Sequence, residues 1–568
     1  MVGRFRERGA GTMVFRRGVV AVLVLISLQV SAAMTGIGFA QSNGASDPAL
    51  SATSSPSSAP SSDSSEPTVL VGDIVIEGAF HESLPEISAQ IDELIASLVG
   101  RRATASELYN LSLAVEAAYQ SAGYFLTRVT IPPQELDDGG TLRMTVIEGY
   151  LEAVDLQGVP TRVHPYLNAV FAPILNRPRV TVREFERALV LARQAPGLSV
   201  QTTLVPGTDV GSGVLVVEGD RTPYSTSLNF SSRLSAANPT WNASASLQIF
   251  QPFGSGEQWT LNVSGPVESL LPPYDGGKAA SRSGGGSLRW PIGGDGKWLQ
   301  LSFSGSYTFT PSIHWLIPDT RQTSRQITLE YNHPIYLRQD GELRISGALD
   351  ASDEVMDVPD FDVEVYRDEV RVLRLGADWR RETRTGGQIS ASLALAKGLE
   401  GMSRGPDEVA ASGVPLQRPE ADPGFAKLSL TALWRYPFAD RFSLTTVVRG
   451  QYALSGLVPM SELFGVTGDN GLPSLGYTVE PNDHGWTVRE EIDAVYSLFG
   501  GRANATLFAY VAAGLTSGGI ASDPEIARGA GIGVRGRMGP VNVTLEQMWG
   551  WSGGFEVGAW QAGVEVAF

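Results

Sequence analysis

The side chains that most often carry out chemistry are few and scattered in this chain. Its five histidines, His81, His164, His314, His333 and His484, lack the short spacing that lets two imidazoles share a metal ion. Gly296-Lys297 is followed by Trp298 and has no upstream glycine, so it is not a phosphate-binding loop. Gly514-Leu515-Thr516-Ser517-Gly518 places its serine one position away from a nucleophile elbow. Both stretches read as hairpin turns. The densest group of oxygen ligands is Asp353, Glu354, Asp357, Asp360, Asp362 and Glu364. Such a cluster can hold calcium, but on a loop tip the same carboxylates are simply solvated. With no cysteine there is no thiolate nucleophile, zinc–thiolate site or disulfide. No catalytic, metal or cofactor site is expected, and the chain does not read as an enzyme.

The residues that do carry information are those that position a chain in space. Sixty-four glycines, 18% charged residues and no long apolar run in the body of the chain suit many turns and many half-buried strands. A net charge of −17 with no basic stripe excludes a nucleic-acid partner, because phosphate backbones are held by clustered Lys and Arg. At the start, Arg4, Arg6, Arg8, Arg16 and Arg17 precede the apolar run Gly18–Leu28, and Gly38-Phe39-Ala40 offers a small-residue cleavage site. That run is well short of the roughly 20 residues that span a bilayer, so 1–40 reads as a secretory signal. Residues 41–67 are rich in Ser and Pro, with too few apolar side chains to offset the entropy of ordering, and read as a linker.

From Val69 one order of elements runs twice. In 68–150 a strand over Val69–Gly78 leads to a helix over Leu84–Val99, and Thr104 with Glu107 makes a capping box for a second helix that Gly123 ends. Strands over Phe125–Ile131 and Leu142–Ile147 complete a β-α-α-β-β unit. In 151–222 the pattern recurs: a strand over Leu151–Gly158, a helix near His164–Leu175, a capping box at Thr181 and Glu184, and strands near Ser199–Val205 and Val214–Val217. Glu148-Gly149 and Glu218-Gly219 close the two units alike. Small sheets of this kind leave free edges, which can take up an extended peptide through main-chain hydrogen bonds or pack against each other.

From 223 to 568 no helix is expected, and alternating segments separated by turns take over. Trp560, Ala562, Val564, Val566 and Phe568 share one face of the last segment, opposite Gln561 and Glu565. Sixteen such segments start near Tyr224, Trp241, Gln258, Gly284, Lys297, Gln322, Gly341, Tyr366, Gly387, Gly424, Arg441, Gly485, Arg502, Ile526, Val541 and Phe555. Connections after even-numbered segments are tight, as at Gly293-Gly294-Asp295-Gly296; those after odd-numbered ones are mostly long, notably Pro266–Ser283, Asp350–Val365, Leu399–Pro423 and Gly456–His484. Even strand number and long-short alternation predict a transmembrane β-barrel of about 16 antiparallel strands, with the N-terminal units on the periplasmic side of an outer membrane. Trp241, Trp259, Trp290, Trp298, Trp379, Trp434, Trp549 and Trp551 suit its aromatic girdles.

A signal, two β-α-α-β-β units and a sixteen-stranded barrel, in that order, resemble the hemolysin secretion/activation proteins, the transporters of two-partner secretion. Gly123-Tyr124-Phe125, Ile131-Pro132-Pro133-Gln134, Gly140-Thr141-Leu142 and Val146-Ile147-Glu148-Gly149 look like the first polypeptide-transport-associated (POTRA) domain of that family, and among them Gly123, Tyr124, Phe125, Pro132, Gln134, Glu148 and Gly149 become candidate substrate contacts. The resemblance implies export of an unfolded exoprotein, of the β-helical adhesin or cytolysin type, without ATP. It also implies dealings with periplasmic chaperones, outer-membrane lipid and the barrel-assembly machinery, for which Trp560, Val564, Val566 and Phe568 look like the terminal signal. A related outer-membrane assembly factor is the alternative. The family's longest loop enters the barrel with a Val-Arg-Gly-Tyr tip and returns through Asp-x-Gly-Trp. Here Leu475-Gly476-Tyr477 occupies the tip, and Asp483, Gly485, Trp486 and Glu490 match the return. Leu475 replaces the family arginine and Ala512 replaces its aspartate partner, so both halves of that salt bridge are lost together; losing one alone would strand a buried charge. The linker shows no evident plug helix.

Overall fold

A computed structural model describes residues 67–233, 241–267, 280–312, 318–468, 471–472, 479–519, 523–553 and 555–568. The signal and nearly all of the linker lie outside them.

The first N-terminal unit has β1 (Thr68–Glu77), α1 (Pro85–Ala96), β2 (Arg102–Thr104), α2 (Ala105–Ser121), β3 (Arg128–Thr130) and β4 (Gly140–Ile147), in the sheet order β2-β1-β4-β3. The expected capping box forms: the Thr104 hydroxyl accepts from the Glu107 N–H while the Glu107 carboxylate accepts from the Thr104 N–H. Two details differ from expectation. β2 adds a fourth strand, and the strand expected over Phe125–Ile131 is limited to Arg128–Thr130, because Tyr124 and Phe125 are drawn aside into other contacts. The second unit runs β5 (Tyr150–Gly158), α3 (His164–Phe171), α4 (Val182–Arg193), β6 (Leu198–Pro206) and β7 (Ser212–Arg221), with order β5-β7-β6 and the second capping box in place. Each unit has its own apolar core, the first around Ile91, Tyr119, Leu142 and Met144, the second around Leu167, Phe171, Leu191 and Leu215.

Sixteen antiparallel strands then close a barrel. They are β8 (Tyr224–Arg233), β9 (Trp241–Phe250), β10 (Gln258–Pro266), β11 (Ala280–Ile292), β12 (Lys297–Thr310), β13 (Thr320–Arg338), β14 (Gly341–Val358) and β15 (Val363–Glu382). The second half comprises β16 (Gln388–Gly398), β17 (Ala426–Ala439), β18 (Phe442–Ser455), β19 (His484–Leu498), β20 (Ala503–Ser517), β21 (Glu525–Met538), β22 (Val541–Ser552) and β23 (Phe555–Ala567). The closing seam pairs β23 with β8 in register from Gln561↔Arg233 to Ala567↔Ser227, and Phe568 and Thr226 exchange N–H···O bonds of 2.7 and 3.0 Å. Among the described residues the barrel is closed and leaves no strand edge to face lipid, which is what a bilayer requires. Alternation makes the wall two-faced. Leu299, Leu301 and Phe303, and likewise Ile327, Leu329 and Tyr331, are exposed in an outer band far larger than a soluble surface tolerates. Trp241, Trp259, Trp290, Trp379 and Trp551 are exposed too, whereas Trp298 turns inward under the Arg289 guanidinium.

The segment Asp350–Val365 is not a loop. β14 and β15 continue through it and turn only at 359–362, so their far ends form a two-stranded extension paired with β13. Its carboxylates are engaged by side chains: Asp357 by Arg321, Asp353 by Arg371 at 2.7 Å, and Glu354 by Tyr366 at 2.8 Å and Gln322 at 2.7 Å. Among the described residues no group of three or more His, Cys, Asp or Glu converges as a metal site. The connection 399–425 also holds a short helix, α5 (Pro406–Ser412), where none was expected, and lays Ser403, Arg404 and Pro415 along the otherwise open edge of β15. This covering protects an edge that would otherwise offer itself to other strands.

Candidate functional site: the inner loop and the docked α/β unit

The connection 456–483 is anchored to the inside of the wall at three successive points. At its entry Glu462, 8% exposed, accepts from Arg374 of β15 at 2.5 and 3.2 Å and from Lys427 of β17 at 2.7 Å. Arg374 also reaches Asp350 of β14. Two cations thus face two anions, the balance a buried polar cluster needs. In the middle, Phe464, Val466 and Leu472 pack on Ala512 of β20 and Ala527 of β21. Phe464 and Asn482 exchange backbone bonds of 2.8 and 3.0 Å, which pins the outgoing arm to the returning one. Gly485 makes room for this: a Cβ there would stand 2.3 Å from the Phe464 ring.

At the exit Asp483, 1% exposed, receives four bonds. Two come from the Arg418 guanidinium at 2.7 and 2.8 Å, one from the Val458 N–H at 2.9 Å and one from the Gly519 N–H at 3.0 Å. Burial pushes the Asp483 carboxyl up, but the Arg418 bonds and the two backbone donors outweigh it and hold the group at about 2. Since Arg418 belongs to 399–425 and Gly519 to 518–524, one carboxylate ties three connections together. The tip residues Leu475, Gly476 and Tyr477 lie outside the described residues. Ala512 lies under Leu472 as part of the apolar anchor.

Sequence reading singled out Asp483 and Gly485 but missed Arg418, Glu462, Lys427 and Arg374. The signal available for them was modest: an arginine flanked by Pro415 and Pro419, and charges on segments otherwise made of small and apolar residues. Trp486 and Glu490 belong elsewhere. Trp486 pairs with Gly450 and Leu515 on the outer face, as Glu490 does with Thr446 and Val511. Farther down the interior, Glu491 accepts from Arg489 at 2.7 Å and Arg535 at 2.6 Å, Arg489 lies 3.5 Å from the Tyr510 ring centroid, and Tyr510 donates to Glu546 at 2.7 Å. The lumen is therefore lined by paired charges of both signs.

The second α/β unit sits on the tight turns of the barrel. Arg187 donates to the Asp295 carbonyl at 2.7 Å and to the Pro334 carbonyl at 3.2 Å; Arg221 donates to the Phe250 carbonyl at 2.6 Å, and the Gln251 side chain to the Pro196 carbonyl at 2.7 Å. Glycine permits this approach, since a Cβ on Gly294 would lie 1.8 Å from the Ala169 carbonyl oxygen. Leu337 of β13 completes the unit's core. Three of the seven candidate contacts of the first unit form its joint to the second: the Gly123 carbonyl accepts from the Val182 N–H at 2.8 Å, Phe125 lies 5.0 Å from Phe185, and Glu148 accepts from Arg179 at 2.6 Å. A Cβ on Gly149 would lie 2.1 Å from the Leu126 carbonyl oxygen, and Tyr124 meets Phe80 edge-on at 5.2 Å. Gln134 satisfies both backbone groups of Arg143 beyond the end of β3 and also donates to the Pro132 carbonyl.

With this geometry in place, two family models match: a POTRA domain of ShlB type over residues 71–149, and the haemolysin secretion/activation protein ShlB/FhaC/HecB over residues 211–536, more than half of the chain. The chain belongs to the ShlB/FhaC/HecB family. That places it among the outer-membrane β-barrels with N-terminal POTRA domains. Among curated relatives it is similar to the heme/hemopexin transporter protein HuxB of Haemophilus influenzae, 21% identical over 44% of this chain in strain 86-028NP and 20% identical in strain Rd. The match spans 45% of either HuxB chain, so the chain covers about half the length of these relatives. In fold it resembles CdiB from Escherichia coli, with a TM-score of 0.68, 19% identity and coverage of 90% of this chain and 93% of that one. CdiB from Acinetobacter baumannii gives a TM-score of 0.65 at 17% identity, with 89% and 91% covered.

Proposed function

We propose that this member of the ShlB/FhaC/HecB family is a two-partner secretion transporter, which takes an unfolded exoprotein from the periplasm and passes it through the barrel. The observation that carries the reading is a POTRA sheet with an open edge fixed at the barrel mouth. Among the described residues β6 pairs with β7 alone, and the bonds of Thr222 to Gly197 and of Gly207 to Ser212 set the ladder parity. By that parity the backbone groups of Val200, Thr202 and Leu204 point away from the sheet, free to pair with an extended chain regardless of its sequence. The tight-turn end, where POTRA domain 2 docks, is the periplasmic end in this reading, since transmembrane barrels carry short turns there. The paired charges of the lumen favour neither sign of cargo.

The cargo we have in mind is a long β-helical adhesin or cytolysin, with a heme-acquisition protein among the candidates through the name of HuxB. Delivery by periplasmic chaperones, and insertion by the barrel-assembly machinery through Trp560, Val564, Val566 and Phe568, complete the proposal. Of the candidate contacts, Gly123, Phe125 and Glu148 would serve it indirectly, by holding the two POTRA domains in one orientation. An assembly factor that releases client barrels sideways needs a seam that opens, whereas here the seam is paired as far as Phe568. The test is secretion in cells with and without this gene, alongside the abundance of other outer-membrane barrels. One exoprotein lost from the medium with the barrels unchanged supports the transporter; a general fall in barrels replaces it with the assembly factor.

A further inference from the structure

The outer wall carries charge where a lipid-facing surface should carry none. On β19 to β22 the buried side chains Phe508, Tyr510 and Ala512 point inward, so their neighbours Val511, Ala513 and the residues paired with them point out. One outward row runs Val488, Ala513, Arg528, Trp551; the next, farther from the long loops, runs Glu490, Val511, Ala530, Trp549. Small side chains at Ala513 and Ala530 make a depression of about 740 Å³, walled by Val488, Glu490, Arg528 and Trp551. Its volume falls in the range of roughly 300–1,000 Å³ typical of ligand sites. A convex barrel has no packing need for such a hollow.

Its charged groups point to what fills it. Arg528 makes no ion pair among the described residues, and Glu490 accepts only a 2.9 Å bond from Thr446. An unpaired guanidinium at a hydrocarbon surface needs an anion supplied from outside. Between Arg528 and the end of the strand stands one outward pair, Leu515 and Ile526. Two residues of strand are about 6.6 Å, within reach of an arginine that snorkels toward the headgroups. Trp551, in the same row, is a residue type suited to that level.

We infer that this depression is a binding site for a phosphorylated glycolipid of the outer leaflet, with a phosphate on Arg528, an acyl chain across Ala513 and Ala530, and a hydroxyl or amide of the lipid donating to Glu490. The inference rests on the proposed orientation, in which the long loops face outward. Both charges then lie in the leaflet where phosphate and hydroxyacyl groups occur together, and the lipid adds a fixed strut beside the strands that bear the inner-loop anchor.

The full-length protein, purified in mild detergent, is incubated with bisphosphorylated lipid A, dephosphorylated lipid A or phosphatidylglycerol, and retained lipid is counted by native mass spectrometry. The expected result is selective retention of bisphosphorylated lipid A, reduced about tenfold by Arg528→Gln, in keeping with the loss of one charge-assisted contact. Ala530→Phe, which fills the hollow without touching either charge, abolishes retention. Folding of each variant is checked by heat-dependent mobility on gels. Equal retention of phosphatidylglycerol, or no effect of Arg528→Gln, overturns the site, and so does a dimer that Ala530→Phe disperses, since a second copy would then be the occupant. Failure of the orientation is read separately. The chain has no cysteine, so a single cysteine placed at Asp360 can be labelled in intact cells; absence of labelling at this far-end turn would overturn the underlying topology instead.

Discussion

Arg418→Ala removes one partner of the most deeply buried ion pair among the described residues and leaves Asp483 with only two backbone donors. Asp483 is held at about 2, against an ordinary value near 3.8. At about 1.4 kcal/mol per unit, that difference alone is ~2.5 kcal/mol. Breaking a buried pair by deleting one member typically costs about 3–5 kcal/mol. About 3 kcal/mol of local stability, or roughly a hundredfold more frequent opening of 456–468 and 479–483, is therefore expected. The barrel wall does not share that loss, so the readout is hydrogen exchange of these segments and of 399–425, together with conductance noise in planar bilayers. Asp483→Asn should act in the same direction, because it leaves Arg418 buried opposite a neutral amide. The double variant Arg418→Met with Asp483→Asn should open less than the sum of the two single changes. The sign of the pH effect follows: with the folded-state value depressed, the contribution is complete above about pH 4 and lost as pH falls toward 2. Strict additivity, or unchanged exchange in Arg418→Ala, would refute the idea that this pair ties the loops together.

Three further outcomes are expected. Gly294→Val, whose Cβ would lie 1.8 Å from the Ala169 carbonyl oxygen, should lift POTRA domain 2 from the barrel turns, seen as new protease cleavage within 193–223 and reduced secretion while the barrel stays folded. Thr202→Pro deletes an outward N–H of β6 without touching its bonds to β7, so exoprotein binding should fall with the domain intact, whereas Thr203→Pro should damage the domain itself. Glu152, held at about 2 by the hydroxyls of Thr208 and Ser212 and the Thr208 N–H, should release the turn 207–212 only as pH falls from about 4.5 through 2, and Glu152→Gln should loosen that turn at neutral pH, both read by hydrogen exchange.

The wall was legible because a strand that touches lipid on one side and water on the other writes its register into every second residue. Each of the sixteen strands begins within four residues of the expected position, from Tyr224 to Phe555. Two capping boxes and the glycine after α2 marked both POTRA domains for similar local reasons. What failed was any reading of where a strand leaves the membrane. Asp353, Glu354 and Asp357 look like loop composition, yet they lie in β14 and pair with β13 and β15, because a ladder satisfied by its neighbours persists in water once its edge is covered. The anchor residues were beyond sequence for a different reason. Arg418 and Asp483 are 65 positions apart, and neither carries a local mark of the other.

The inner loop is held to the wall by two kinds of contact. Ala512 accepts the apolar packing of Phe464 and Leu472, which is strong but indifferent to direction. Direction is set at the two ends of the connection, by Glu462 between Arg374 and Lys427 and by Asp483 on Arg418. Two buried ion-pair clusters thus fix where the chain meets the wall, and the apolar contact between them fixes only how near it lies. Variants at the end clusters should therefore alter how often 456–468 and 479–483 leave the wall, and variants at Leu472 should alter only how closely that residue lies against Ala512.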